Sequence, residues 1–334
     1  MKDIYILGIE TSCDETSIAI VKNGSEDIAT MILSQMDIHA KYGGVVPEIA
    51  SRTHAENITL VLDELFSKTI LTMEDMSAIA VTYAPGLLGS LLVGLEFAKT
   101  LALVYEKPLI KVHHLAGHIY ANNLEKKMEF PILALLVSGG HTELVLMKKD
   151  HHYEVLGATL DDAVGEVYDK VAKVLDLPYP GGPNIEQYAK SGQNNYPLPI
   201  PMQNESLDFS YSGLKSAIIN LVYHEKQKGN AINKNDLACS FQVVAVDELI
   251  RKTELAIKQT KVKRLIVAGG VSANQYLRSQ MAELASKHQI ELSIPVMKYC
   301  TDNATMIAAA AYPLFLLGNF ADFSLNAEAL KKLS

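Results

Sequence analysis

Cysteine is scarce. Cys13, Cys239 and Cys300 are the only three in 334 residues, and they lie far apart. They form neither a disulfide framework nor a C-x-x-C zinc knuckle, so a reducing compartment, the cytoplasm, is expected. Glycine and proline contribute 20 and 12 residues, too few for a collagenous or low-complexity chain. Basic residues are in deficit, 30 against 38 acidic ones, with a formal net charge of -8. A chain that gripped nucleic acid by bulk electrostatics would be basic, so any such partner must meet a local patch or a second protein. Long apolar runs are absent. The most apolar late stretch, 306–317, is short and carries Pro313, so no membrane span is expected. Residues 1–10 resemble neither a secretory signal nor a transit peptide. No G-x-x-x-x-G-K-[ST] is found and no G-x-G-x-x-G follows a strand, so a nucleotide site would be of neither Walker nor dinucleotide type.

What is present suits a large α/β protein. Apolar residues make up 49% and charged ones 20%, and at roughly 150 residues per domain the length predicts about two domains. Apolar runs at 4–9 and 16–21, with Asn23-Gly24 turn chemistry after them, read as a β-hairpin. From Pro47, the residues Ile58, Val61, Leu62, Leu65 and Phe66 recur at helical spacing. A buried strand at 78–83, an apolar helix at 90–104 and a strand at 109–112 follow. After Pro131 the pattern returns: strands at 132–137, 142–147 and 154–159, a helix at 163–175, a strand at 264–268 and a helix from Ser272. Two related α/β halves are therefore expected, residues 1–130 and 131–334. The stretch 179–212, rich in Pro, Gly, Asn and Ser, reads as a long functional loop or an insertion. Helices are expected after it at 212–226 and 236–259.

Gly-Gly pairs occur at 43–44, 139–140, 181–182 and 269–270, and the second and fourth directly follow strands. Such a pair lets backbone N–H groups approach a phosphate with no Cβ in the way. A nucleotide between the two halves would explain both, although each pair alone also makes a tight turn.

His114 and His118 are four apart, on one face of a helix, and suit one metal ion or a packed pair. The zincin motif H-E-x-x-H needs a Glu after its first His, and Leu115 stands there, which argues against peptide hydrolysis. Asp302, before an Ala-rich helical run, is either a third ligand or that helix's N-cap. Two His and one carboxylate with open positions suit Fe(II) or Zn(II).

Together the motifs resemble one family. Its opening signature is matched by Ile9-Glu10-Thr11-Ser12-Cys13-Asp14-Glu15-Thr16. Tyr42-Gly43-Gly44-Val45-Val46-Pro47-Glu48, residues 113–118, Val137-Ser138-Gly139-Gly140-His141-Thr142 and Asp161-Asp162-Ala163-Val164-Gly165-Glu166 follow in order. Then come residues 179–183, 207–215, 269–274 and 300–303. This is similar to the tRNA N6-adenosine threonylcarbamoyltransferases, the universal family once labelled a glycoprotease, over about 4–311.

The resemblance implies a two-lobed, actin-like and sugar-kinase-like (ribonuclease H-like) ATPase fold with duplicated half-domains. It implies a helical insertion in each lobe, the first carrying the His pair. It implies metal ligands at His114, His118 and Asp302, with Fe(II) ahead of Zn(II). For threonylcarbamoyl-adenylate, or ATP, ADP or AMP in its place, it implies Leu136, Val137, Ser138, Gly139, Gly140, Asp169, Gly182 and Asn274. Glu186 stands where the family often has Asp. The reaction implied is transfer of the threonylcarbamoyl group to N6 of the adenosine beside the anticodon, in tRNAs reading codons that begin with A. Asp14 or Glu15 would take the amine's proton, or would simply accept turn N–H groups. Partners implied are tRNA, a paralogous non-catalytic actin-like subunit and a small P-loop ATPase, with no membrane. The basic clusters 126–127, 148–149 and 261–264 each read as a solvated face rather than a nucleic-acid patch. The alternatives are a metal-independent phosphotransferase of the same superfamily, which needs no His pair and which metal analysis would separate, and a non-enzymatic subunit, against which His114, His118 and Asp302 argue.

Overall fold

The computed structural model describes residues 3–333. In chain order its elements are β1 (Tyr5–Glu10), β2 (Glu15–Lys22), β3 (Glu26–Ser34), α1 (Met36–Ala40), α2 (Pro47–Ser67), β4 (Ala78–Ala84), α3 (Leu88–Val104), β5 (Leu109–His113) and α4 (His114–Tyr120). There follow β6 (Ile132–Val137), β7 (Thr142–Met147), β8 (Tyr153–Ala158), α5 (Val164–Val174), α6 (Gly181–Ala189), α7 (Ser212–Gln227), α8 (Lys234–Thr260), β9 (Arg264–Ala268), α9 (Gln275–His288), β10 (Glu291–Ser293) and α10 (Ala304–Leu316). Among the described residues no helix is long and apolar enough to cross a membrane.

The chain divides into two compact units, Met1–Met128 with Pro295–Ser334, and Glu129–Ile294. Each is built on a five-stranded sheet, ordered β3-β2-β1-β4-β5 in the first and β10-β9-β6-β7-β8 in the second. In the first, β3, β2 and β1 run as an antiparallel meander, and β4 and β5 then join parallel to β1. In the second, β8, β7 and β6 repeat the meander, and β9 and β10 join parallel to β6. The duplication read from the order of elements is thus a duplication of sheet topology.

The expected boundary 131–334 for the second half is corrected. Residues 295–334 belong to the first unit, because α10 packs on the strands of the first sheet. Its run Ala304–Ala311 is wholly buried, and β1 meets it through Gly8, where a Cβ would fall 2.4 Å from the Ala304 carbonyl oxygen. Small residues on both sides let helix and strand approach closely. Elsewhere in this unit Ile58, Val61 and Leu65 of α2 and Leu95 and Ala98 of α3 pack with Leu7, Ile9, Ile18, Ile20, Ile79 and Val81. In the second unit Val164, Val167 and Val171 of α5 and Phe241, Ala245 and Leu249 of α8 pack with Leu133, Leu135, Val137, Leu144 and Val267.

The expected long loop at 179–212 holds a helix, α6. Its first N–H, that of Gly181, is accepted by Asp169 Oδ1 at 2.7 Å, and Ile185 and Ala189 bury into the core of the second unit. Tertiary burial outweighs the weak helix propensity of Gly181-Gly182-Pro183-Asn184.

Candidate functional site

In the first unit His114, His118 and Asp302 converge, and their ligand atoms lie within 4.8 Å of one another. β5 ends at His113, and α4 starts at His114, so both imidazoles project from one helix face. Gly117, between them, lets α10 come close: a Cβ there would lie 2.7 Å from Ile307 Cδ1 and 3.1 Å from Met306 Cγ, and those side chains would have to shift. That close approach brings Asp302, two residues before α10, onto α4. Asp302 is not the helix cap. Asn303 is, its side chain accepting the N–H of Met306 at 2.9 Å. Asp302 Oδ1 lies 3.5 Å from His114 Nε2 and 3.2 Å from His118 Nε2.

The donor set fits a metal ion on two observations. His118 is 1% exposed, yet neither ring nitrogen makes a well-aligned hydrogen bond among the described residues, Nε2 facing the Asp302 carboxylate at 3.2 Å and Nδ1 having no partner. A buried polar atom without a partner is costly, and coordination would satisfy it. His114 Nδ1 lies 3.1 Å from both Glu10 Oε2 and Ser12 Oγ, which turns Nε2 toward Asp302. A carboxylate behind a ligating imidazole is the usual support of such a site. Glu10 is itself fixed: Oε1 accepts from Ser12 N and Oε2 from Thr82 Oγ1, both at 2.6 Å. The sequence reading did not single out Glu10. The available signal was a carboxylate ending an otherwise apolar strand.

The electrostatics agree. Burial opposes charge on His114, but Asp302 and Glu10 outweigh it and raise its pKa well above the usual 6.5. Burial likewise opposes ionisation of Asp302, and His114 and His118 overcome it, holding the carboxyl well below its usual range. A pocket negative enough to keep a proton on an imidazole is one where a cation would compete for that place. Glu15 feels the same field: burial, then Asp302 and Asp14, push its carboxyl up to about 10. Its Oε1 accepts from Ser34 Oγ at 3.3 Å, and the Asp14 carbonyl accepts from Gln35 N at 3.0 Å.

In the second unit the turns after the parallel neighbours β6 and β9 come together. Gly269 has φ +92°, and a Cβ there would fall 2.5 Å from the Val137 carbonyl oxygen, so only glycine suits the position. Gly139, Gly140, Gly182 and Gly270 face open space. Ser138 Oγ accepts from Gly140 N at 3.3 Å and His141 N at 3.0 Å. Leu136 and Val137 are buried and offer only backbone. Asn274 is already occupied: Oδ1 caps α9 through Leu277 N at 2.9 Å, and Nδ2 donates to Gln242 Oε1 at 2.9 Å. Glu186 Oε1 accepts from Gln275 N at 3.1 Å. Asp169, whose pKa burial raises, anchors Gly181.

The motif 161–166 supports these turns. Asp161 accepts from Tyr211 N at 2.8 Å, Ser212 Oγ at 2.7 Å and Ser212 N at 3.3 Å, and also from Ser210 Oγ. Gly165 leaves no room for a Cβ, which would lie 2.6 Å from the Ser138 oxygen and 2.9 Å from Gly139 Cα.

The family described as tRNA N6-adenosine threonylcarbamoyltransferase matches residues 27–309. A relative of that name from Staphylococcus haemolyticus is 53% identical over 98% of this chain and 96% of its own. Another from Anoxybacillus flavithermus is 53% identical with the same coverage. Among solved structures, T. kodakarensis HypF aligns with TM-score 0.65 at 14% identity, over 97% of this chain and 49% of that one. Component A of the Acidaminococcus fermentans (R)-2-hydroxyglutaryl-CoA dehydratase aligns with TM-score 0.54 at 15% identity, over 93% and 98%. These two likenesses bear on the fold alone, and they agree with the expected two-lobed actin-like ATPase class.

Proposed function

Because the chain belongs to the tRNA N6-adenosine threonylcarbamoyltransferase family, we propose that it takes the threonylcarbamoyl group from threonylcarbamoyl-adenylate and delivers it to N6 of the adenosine beside the anticodon. The tRNAs are those reading codons that begin with A. The observation that carries the reading is the convergence of His114, His118 and Asp302. A kinase-like phosphotransferase has no need of that cluster, and the relatives do not favour one.

His114, His118 and Asp302 would hold one divalent metal, Fe(II) ahead of Zn(II) on the donor set. Bound there, the metal would supply Lewis acidity toward the carbamoyl carbonyl. The remaining work falls to side chains and backbone. Glu10 and Ser12 fix the ring of His114. Open backbone at Gly139 and Gly182 receives the adenylate's phosphate and ribose, with Ser138 and Gly140 shaping the phosphate turn. Asp169 and Glu186 line the ribose side, and Asn274 sets the start of α9 beside the adenosine. AMP is a good leaving group, so positioning is the main contribution. The attacking N6 amine sheds a proton after attack, and Asp14 or Glu15 accepts it. Glu15 can do so at neutral pH only when positive charge nearby lowers its pKa.

An acidic chain with tRNA as substrate implies help from other proteins. A paralogous non-catalytic actin-like subunit and a small P-loop ATPase are the partners, all in the cytoplasm. The test is mass analysis of tRNA nucleosides after incubating the chain and its partners with threonine, bicarbonate, ATP, the adenylate-forming enzyme and unmodified tRNA. Threonylcarbamoyladenosine should form only when this chain is present. Adenylate that is made and then transferred without it would refute the reading.

A further inference from the structure

Residues 319–333 lie outside the family match, which ends at 309, yet the fold pins them at several points. Leu325 and Ala327 turn into the core of the first unit and Leu333 is 4% exposed, while Ser324, Asn326, Glu328 and Leu330 face solvent. That alternation is the two-residue period of extended chain. Ala321 N donates to the Leu109 carbonyl of β5 at 2.8 Å, and Glu328 N to the Tyr83 carbonyl of β4 at 2.9 Å. In the other direction Gly86 N donates to the Ala329 carbonyl at 3.2 Å, and His113 Nε2 donates to the Lys331 carbonyl at 3.1 Å.

The last two bonds land on the segments that carry the metal ligands. His113 is the N-cap residue of α4, whose first residue is His114. The turn at Gly86 grips Ser12: Leu87 N donates to the Ser12 carbonyl at 2.8 Å, and a Cβ on Gly86 would lie 2.6 Å from that same oxygen. Ser12 Oγ in turn lies 3.1 Å from His114 Nδ1. Two routes, one through His113 and one through Gly86 and Ser12, therefore run from the tail to one imidazole.

We propose that residues 328–333 are a strap that positions the metal centre, with the carbonyls of Ala329 and Lys331 fixing the turn and the helix start that aim His114. The inference rests on reading His114, His118 and Asp302 as a metal site. Between Ala327 and the buried Leu333 the tail does more than cover core, since its Ala329 and Lys331 carbonyls take the N–H groups of Gly86 and His113. It thus holds a side chain adjacent to a ligand.

The test uses the full chain, a chain ending after Ala327, and the variants His113→Ala and His113→Gln. Each is loaded with Zn(II) or Co(II), and metal loss to a chromophoric chelator is timed. The melting temperature of the metal-free protein is recorded alongside. The shortened chain and His113→Ala should lose metal about 10-fold faster, the scale expected for a support behind a ligand. His113→Gln, whose amide can still donate to the Lys331 carbonyl, should recover most of the difference. Equal loss rates for all four would overturn the strap. If the shortened chain does not fold, the His113 pair decides alone. An intact chain that takes up no more metal than His114→Ala would refute the metal reading itself, and the strap with it. That outcome is distinct from uptake that is normal and equal in every variant.

Discussion

Glu10 Oε2 sits 3.1 Å from His114 Nδ1, and the Glu10 side chain is fully shielded from solvent. A buried carboxylate is expensive unless its lone pairs are used. Here Ser12 N, Thr82 Oγ1 and the imidazole use them. Glu10→Gln keeps the shape but removes the charge, and one end of its amide must present N–H to a donor. Metal affinity should fall about 10- to 100-fold, read by titration against a chelator. An unchanged affinity would mean that Glu10 serves only the turn at Ser12.

His118 gives a sharper separation of function from fold. Among the described residues its Nδ1 has no partner and its Nε2 faces Asp302 Oδ1 at 3.2 Å, so His118→Leu removes one unsatisfied polar atom and one contact to a carboxylate and keeps most of the volume. The metal-free variant should stay within about 1 kcal/mol of the parent, because relief of the unpartnered Nδ1 offsets loss of the contact to Asp302. Metal uptake and transfer should both be lost. A drop in stability beyond about 1 kcal/mol, the net worth of an ordinary hydrogen bond, would show that the contact to Asp302 is a structural bond even without metal.

Gly165 joins the start of α5 to the turn after β6. A methyl group there meets backbone, the Ser138 oxygen and Gly139 Cα, which cannot rotate aside as a side chain would. Gly165→Ala should cost about 1–3 kcal/mol in urea unfolding, the range for overpacking. It should also raise KM for the adenylate more than it lowers kcat, since the displaced turn is the one assigned to the phosphate. A change in kcat with KM untouched would remove Ser138–Gly140 from substrate binding.

Local signals made some of this legible and long-range contacts hid the rest. Pro47 marks the start of α2 because proline suits a first helical turn. The His114–His118 spacing places both rings on one face whatever surrounds them. β3 went unread because it is a half-exposed edge strand with no clean alternation. The helix expected from Ser272 begins at Gln275, after a short 3₁₀ turn at Gly270–Ala273, because Asn274 supplies the cap. The cap that the sequence offered to Asp302 is taken by its neighbour Asn303. Gly117 and Gly165 carry no local mark of their role. Each is touched by an element distant in sequence, Gly165 by backbone that leaves no room for a Cβ and Gly117 by side-chain ends of α10.

Glu254 on α8 offers a test of the second unit that is independent of the metal. Lys287 Nζ and His288 Nε2, at the end of α9, donate to it at 2.9 and 2.8 Å, and Lys258 lies 3.1 Å away. The bonds from Lys287 and His288 outweigh burial and hold its carboxyl down to about 2, against 4.5 ordinarily. Above pH 4.5 the carboxylate is ionised in both folded and unfolded chains, and its contribution is complete. Between about 4.5 and about 2 the unfolded chain takes up a proton that the folded one refuses, so stability falls as pH falls. Below about 2 the contribution is gone. The stability gap between the native chain and Glu254→Gln should therefore be widest near neutrality, close across that acid window, and shrink in high salt, which screens partly exposed charges. A gap that stays constant from pH 7 to pH 3 would show that Glu254 stabilises the α8–α9 contact by its shape and not by its charge.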